Sequence, residues 1–114
     1  MKNITLFCLI SIPIILSGQN GPVSLMGQYS YDLTNTHSLP AAKIECKKIA
    51  TMMGIRAHLV IMYPETLNID DETLNCIYDN LLTIEVVEET INGNTLFMRV
   101  ISSTNTNLLG ACLP

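Results

Sequence analysis

The stretch SLPAAKIECKKIATMMG, residues 38–54, carries the clearest folding signal in the chain. Ser38 is a typical N-cap, Pro40 stands in the first turn where its missing N–H is harmless, and Gly54 has the position of a C-cap. Between them the apolar side chains recur at helical spacing, at Ala42, Cys46, Ile49, Ala50 and Met53. The stretch therefore predicts an amphipathic helix whose apolar stripe, with a cysteine at its centre, packs on a flat apolar layer.

The segments that follow have the composition of strands. Those rich in β-branched and aromatic residues are HLVIMY (58–63), TLNCIYD (73–79), LLTIEVVEE (81–89) and TLFMRVI (95–101). Asn92-Gly93 predicts a hairpin between the last two, because both residues tolerate positive φ. PVSLMGQYSY, residues 22–31, is a candidate first strand. We expect an α+β fold in which an antiparallel four- to five-stranded sheet is packed by one helix.

The first 18 residues have the pattern of a secretory signal peptide. Lys2 is followed by an apolar run from Leu6 to Leu16 and then by small residues. The run is shorter than the roughly 20 residues of a membrane-spanning helix, and an uncleaved signal anchor is the alternative. Cleavage predicts a secreted, extracellular protein without a transmembrane anchor, with one domain over residues 19–101 and a polar C-terminal tail over 102–114.

The charge balance is acidic. Loss of residues 1–18 removes Lys2 and no acid, which changes the formal net charge from −4 to −5. The largest basic cluster is Lys47-Lys48, which is far smaller than a phosphate backbone or an anionic membrane demands. We therefore do not expect nucleic acid as a partner.

Three cysteines remain after the leader is removed, because Cys8 leaves with it. This number allows one internal disulfide and one thiol left over. If residues 73–79 form a strand, Leu74, Cys76 and Tyr78 share its apolar face, which points to the helix that carries Cys46. We predict a Cys46–Cys76 disulfide, with two buried free thiols as the alternative, and Cys112 as an unpaired or intermolecular thiol.

At these residues the chain resembles the PAN/apple superfamily, in particular the PAN-like (CW) domains of secreted nematode proteins. The segments that carry the resemblance are IECKKIA (44–50), AHLVIMY (57–63), LNCIYDNLLTIEVV (74–87) and GNTLFMRV (93–100). The resemblance extends from about Val23 to Ile101. It implies the same bridge from helix to sheet, and it places Ala50 and Ala57 where the family has a second, inner cysteine pair.

The two histidines do not indicate a catalytic or metal site. His58 lies on a predicted strand and shares a face with Val60 and Met62, which is typical of a structural histidine. His37 precedes the helix cap in a polar segment, where it is solvated. Without a Cys-x-x-Cys or a His-x-x-x-His pattern, we expect no zinc site.

The acidic residues have structural interpretations as well. Asp70, Asp71 and Glu72 fall in a predicted surface loop at 64–72 and lack the spacing and the glycine of a calcium-binding loop. Glu85, Glu88 and Glu89 lie on a predicted strand, where Glu85 faces outward between Ile84 and Val86. We expect no enzyme activity, metal or cofactor.

The resemblance implies a noncatalytic extracellular module that binds protein or carbohydrate through surface loops, and the sequence does not identify the ligand. Tyr63 to Glu72 and the exposed sheet edge beside the helix are the candidate binding surface. The alternative function is an extracellular matrix or cuticle-type structural protein crosslinked through Cys112. A secreted hydrolase or inhibitor is a third possibility.

Overall fold

The computed structural model describes residues 21–35, 38–63 and 69–114. In chain order the elements are β1 (Pro22–Asp32), α1 (Leu39–Met62), α2 (Asp71–Asp79), β2 (Thr83–Asn92), β3 (Thr95–Asn105) and α3 (Thr106–Cys112). The α+β class is confirmed. Within these residues there are three strands and three helices, rather than four to five strands and one helix. The predicted signal peptide, His37 and residues 64–68 lie outside the described residues.

The three strands form an antiparallel sheet in the order β1-β3-β2. Because side chains alternate across a strand, the even-numbered residues of β3 point to one face, and Leu96, Met98 and Val100 are buried there. The opposite face is open, and Met26 on β1 is 60% exposed. The predicted strands at 22–31, 81–89 and 95–101 are confirmed. The predicted tail at 102–114 is wrong, since β3 runs to Asn105 and α3 follows it.

The hairpin between β2 and β3 is confirmed. Asn92 pairs with Thr95, so the loop consists of Gly93 and Asn94. Gly93 has a φ of +64°, which is the pattern of a type II′ turn with glycine at its first central position. Of the two residues that predicted the turn, Gly93 is the one that adopts the left-handed conformation.

Helix α1 begins as predicted but ends eight residues later. The Ala41 N–H donates to the Ser38 Oγ at 3.3 Å, and Pro40 lies in the first turn. Gly54 lies inside the helix, which continues through the predicted strand at 58–63 as far as Met62. The prediction of a C-cap at Gly54 and of a strand at 58–63 is therefore wrong.

Gly54 has a packing role instead. A Cβ on Gly54 would lie 2.9 Å from the Gly27 nitrogen, and a Cβ on Gly27 would lie 1.9 Å from the Ala50 carbonyl oxygen. Real Cβ atoms do not approach backbone this closely, so the pair of glycines lets α1 cross β1 backbone to backbone. Burial of Leu59 in the following turns overrides the strand preference of HLVIMY.

Helix α2 replaces the strand predicted at 73–79. The Asp70 carboxylate accepts a hydrogen bond from the Thr73 N–H at 2.9 Å and caps the helix. Asp71 and Glu72 occupy the first turn, where negative charge is favourable. Leu74 and Ile77 are buried at a helical spacing of three residues, so the apolar pattern is helical and the predicted strand is wrong.

The core has two parts. Over the middle of the sheet α1 packs on β3, with Ala42, Cys46, Ala50, Leu96, Met98 and Val100 buried together. Between the helices and the start of β1 lies a second cluster of Leu25, Ile55, Leu59, Leu74, Ile77 and Leu109. The inward face of α1 therefore changes along its length, from the sheet in the first half to α2 and α3 in the second.

Candidate interaction surface

The disulfide joins Cys76 on α2 to Cys112 on α3, with their Cα atoms 5.6 Å apart. The predicted Cys46–Cys76 bridge is wrong, and Cys112 is not an unpaired thiol. The physical reason is that residues 73–79 are helical, which directs Cys76 towards the C-terminal helix rather than towards α1. The bridge ties the short helix α3 to α2.

Cys46 is a free, buried cysteine with a packing role. Its Sγ lies 3.7 Å from the Tyr29 carbonyl oxygen on β1 and 3.9 Å from that of Leu96 on β3. Burial, reinforced by the negative charge of Glu89, raises the pKa of the Cys46 thiol. A protonated, enclosed thiol is a poor nucleophile, so Cys46 serves as a small apolar group in the core.

Two of the three acidic residues of β2 form ion pairs. Glu88 contacts Arg99, and the Glu89 carboxylate lies 2.7 Å from the Lys43 Nζ on α1. Glu85 is exposed. Asp70 is the N-cap of α2, and its hydrogen bonds from Thr73 lower its pKa. Across residues 21–35, 38–63 and 69–114, no group of three or more His, Cys, Asp and Glu side chains is placed to hold a metal ion.

His58 lies half-buried in α1, and desolvation lowers its pKa below the usual 6.5. Because the unfolded chain binds a proton near pH 6.5 while the folded chain resists it, we expect the free energy of unfolding to decrease as the pH falls through this value. Urea midpoints at pH 7.5 and 5.5 measure the effect. His58→Gln should show a smaller decrease than the parent protein, and an equal decrease would contradict this role of burial.

The apolar face of α1 continues past the edge of the sheet. At 100° per residue, Cys46, Ala50, Ala57 and Ile61 project within about 40° of one direction. Cys46 lies over both β3 and β1, and Ala50 lies over Gly27 of β1, so this face moves outward across the sheet. Ala57 is exposed and Ile61 is 79% exposed. The last turns of the helix therefore project beyond β1.

The exposed side chains of this part of the helix form what we call the apolar ridge. Its members lie at helical spacings of four, three and one residues and are Met53, Ala57, Val60 and Ile61. Val60 is 67% exposed and Met53 is 45% exposed. A contiguous exposed aliphatic strip on one helix is typical of an interaction site rather than of scattered surface residues.

Strand β1 forms an edge of the described sheet beside this ridge. The Leu33 N–H donates to the Asn94 carbonyl at 2.7 Å, and the Gly21 carbonyl accepts from the Thr106 N–H at 3.1 Å, so the odd-numbered residues face β3. In an antiparallel pair the alternate residues direct their backbone groups outward. Those with an outward N–H are Ser24, Met26, Gln28, Ser30 and Asp32.

The β1 edge has few of the charges that usually prevent strand pairing. From Pro22 to Tyr31 it contains no Asp, Glu, Lys or Arg, and Asp32 at its end is its single charged residue, whereas β2 at the other edge carries Glu85, Glu88 and Glu89. Charged residues on an edge strand discourage pairing with another chain. The outer edge of β1 can therefore pair with a further strand, whereas the charged residues of β2 disfavour such pairing at the other edge.

A second feature is an open cleft of about 350 Å³ between α1 and α2. Glu45, Lys48, Arg56 and Asp71 contribute charges of both signs around an apolar floor that includes Met52. Met53 also borders the cleft and so connects it with the ridge. Because the cleft carries charges of both signs, it favours neither an anionic nor a cationic ligand.

The binding surface predicted from the sequence differs from the surface on which the exposed apolar residues lie. Of the range from Tyr63 to Glu72, Tyr63 packs on the core between the helices, and Asp70 to Glu72 begin α2. The predicted sheet edge beside the helix is present as β1. A helix that ends at Gly54 does not include the apolar ridge, although Met53, Ala57, Val60 and Ile61 have helical spacing in the sequence.

Among the described helices, none combines the length and apolar character needed to cross a membrane. Comparison with protein-family models, with curated proteins and with solved structures yields no match to this chain. The PAN/apple resemblance therefore stays a prediction, and the bridge from helix to sheet that it implied is absent.

Proposed function

We propose that this chain is a secreted, noncatalytic module that binds protein through the β1 edge and the apolar ridge. The observation that carries the proposal is that the apolar face of α1 continues beyond the sheet. Val60 and Ile61 are therefore exposed beside the β1 edge, which has few charged residues. A strand added to β1 would gain main-chain hydrogen bonds, and its inward side chains would be covered by the ridge.

The chemistry of this surface favours a protein ligand over a carbohydrate. Its side chains are aliphatic, and they offer little hydrogen bonding to sugar hydroxyls. Its polar groups are the outward backbone N–H and C=O groups of β1, which match another extended backbone in spacing and direction. Binding of this kind would be strongest for an extended segment with apolar side chains at alternate positions.

Secretion is part of the proposal and is supported by two features. The pattern of residues 1–18 is that of a signal peptide, and a structural disulfide such as Cys76–Cys112 persists in oxidising compartments. A PAN-like identity would agree with a binding role, but its support is limited to the sequence segments quoted above. The alternative of a matrix protein crosslinked through Cys112 loses its thiol, because Cys112 is bonded to Cys76.

Binding assays with matched variants test the proposed surface. The secreted, purified protein is screened against a panel of extracellular proteins, which includes the protein itself, and against a glycan array. Val60→Glu and Ile44→Glu each place an acid at an exposed aliphatic site of α1, at 67% and 73% exposure, but Ile44 lies outside the ridge. We expect protein binding that Val60→Glu abolishes and Ile44→Glu retains. Binding to glycans alone, or equal effects of the two variants, would contradict the proposal.

A further inference from the structure

We infer that the partner at this surface is a second copy of the chain, paired antiparallel along β1 so that each ridge lies over the β1 strand of the other copy. This inference rests on the proposed function and names its ligand. A dimer of this kind is a continuous six-stranded sheet with both α1 helices on one face.

The symmetry of the surface favours a second copy. In the described part of the chain, β1 has an outer edge without a neighbouring strand, and an apolar ridge projects beyond that edge on one face. A two-fold axis perpendicular to the sheet at the β1 edge places each ridge over the neighbour's sheet, so one operation covers both exposed features. An unrelated strand would cover the ridge of one chain without offering a ridge in return.

Charge selects β1 over β2 for this pairing. The chain is acidic, with a formal net charge of −4, and association of two copies must avoid placing like charges together. Pairing β2 with itself would bring Glu85, Glu88 and Glu89 against the same residues of the second copy. Pairing β1 with itself opposes neutral residues from Pro22 to Tyr31, so no like-charge repulsion arises within the strand pair.

The spacing and the direction of the helices together select the register. With Gln28 opposite the Gln28 of the second copy, outward backbone groups meet outward backbone groups in both chains. The two Gly27 residues, where α1 crosses β1, then lie about 8 Å apart, from a strand separation of about 4.8 Å and an offset of two residues. Helices pack at about 8–10 Å, so this separation of the crossing points is one that helix packing allows. A register centred on Met26 gives the same separation, but α1 moves outward from Tyr29 towards Gly27, so the second Gly27 would then lie in the path of the outgoing helix.

Sedimentation velocity and light scattering on the secreted full-length product test the oligomeric state. We expect a dimer at micromolar concentration and above, and a concentration-dependent shift towards monomer on dilution. Val60→Glu should be monomeric with an unchanged far-UV circular dichroism spectrum, whereas Ile44→Glu should remain dimeric. A monomer at all concentrations up to about 100 µM, or two variants that behave alike, would overturn the inference.

Cysteine crosslinking tests the register. In this dimer the Cα atoms of Gln28 and its symmetry mate lie about 5.5 Å apart, within disulfide reach, whereas those of Ser24 lie about 26 Å apart. Oxidised Gln28→Cys should run as a covalent dimer on a nonreducing gel, and Ser24→Cys should not. Crosslinking at Ser24 but not at Gln28 would contradict the register.

Different results would contradict the dimer and the proposed binding function. A monomer that still binds another extracellular protein, with loss of binding in Val60→Glu, would remove the second copy and leave the proposed function in place. A monomer with no binding that depends on Val60 would remove both.

Discussion

Replacing Gly27 with alanine is expected to destabilise the domain by more than about 3 kcal/mol. The new Cβ would lie 1.9 Å from the carbonyl oxygen of Ala50 and 2.5 Å from the nitrogen of Gly54. Both obstacles are backbone atoms of α1, so no rotamer change relieves the overlap and the helix must move away from the sheet. Overpacking of side chains costs about 1–3 kcal/mol, and this contact exceeds that case. Since small domains are stable by about 5–15 kcal/mol, this loss is a large share of the free energy of unfolding.

Thermal and urea unfolding of Gly27→Ala and Gly110→Ala measure this effect. Gly110 is a matched control, because a Cβ there meets nothing within 4 Å and alanine is favoured by up to about 1 kcal/mol in a helix. The Gly27 variant should melt more than about 12 °C below the parent, and the Gly110 variant at or slightly above it. A Gly27→Ala protein as stable as the parent would show that α1 does not lie on β1.

Loss of the Cys76–Cys112 disulfide is expected to cost about 4 kcal/mol. The two cysteines are separated by 36 residues, and in the chain-entropy model closure of a loop of this length restricts the unfolded chain by about that amount. The closed loop contains the end of α2, both β2 and β3, and α3, so release of α3 from α2 would free the end of the central strand. Reduction of the native protein should therefore lower its stability towards that of a variant without the bridge.

Urea unfolding with and without reductant tests the pairing. The double variant Cys76→Ser, Cys112→Ser should unfold at a low midpoint that reductant does not change. Cys46→Ala should keep the sensitivity to reductant, since Cys46 is free. Nonreducing peptide mapping should recover the Cys76 and Cys112 peptides as one species. If Cys46→Ala removed the sensitivity, the bridge would be the Cys46–Cys76 pair.

Local signals in the sequence predicted most elements correctly. The cap at Ser38 and the turn at Gly93 depend on neighbouring residues, and the structure contains both. Strands β1 and β3 alternate in burial along their length, and β2 does so over residues 83–87, which is a period that the sequence shows directly. These features were predictable because short-range geometry decides them.

The errors share one physical cause, which is that tertiary contacts are absent from a local pattern. Gly54 has the form of a helix end, but its role is to approach Gly27, which is 27 positions earlier in the chain. Residues 58–63 and 73–79 are rich in strand formers, yet burial of Leu59 and Ile77 between helices outweighs that preference. For 73–79, Asp70 at three residues before Thr73 was a capping signal that the sequence did show.

The prediction that the helix ends at Gly54 also excludes the candidate surface. Ending the helix at Gly54 separates Met53 from Val60 and Ile61, so the ridge does not exist as a pattern. If residues 73–79 are interpreted as a strand, Cys76 faces α1, and Cys112 has no cysteine with which to pair. Both the disulfide and the surface therefore follow once the two segments are recognised as helical.

The most direct test of the account is NMR of the backbone of α1 and β1. We expect helical ¹³Cα shifts without interruption from Leu39 to Met62, and a nuclear Overhauser effect between the α protons of Gly27 and Gly54. Strand-like shifts over residues 58–63, with no contact between the two glycines, would contradict it, because the ridge beyond β1 would then not exist.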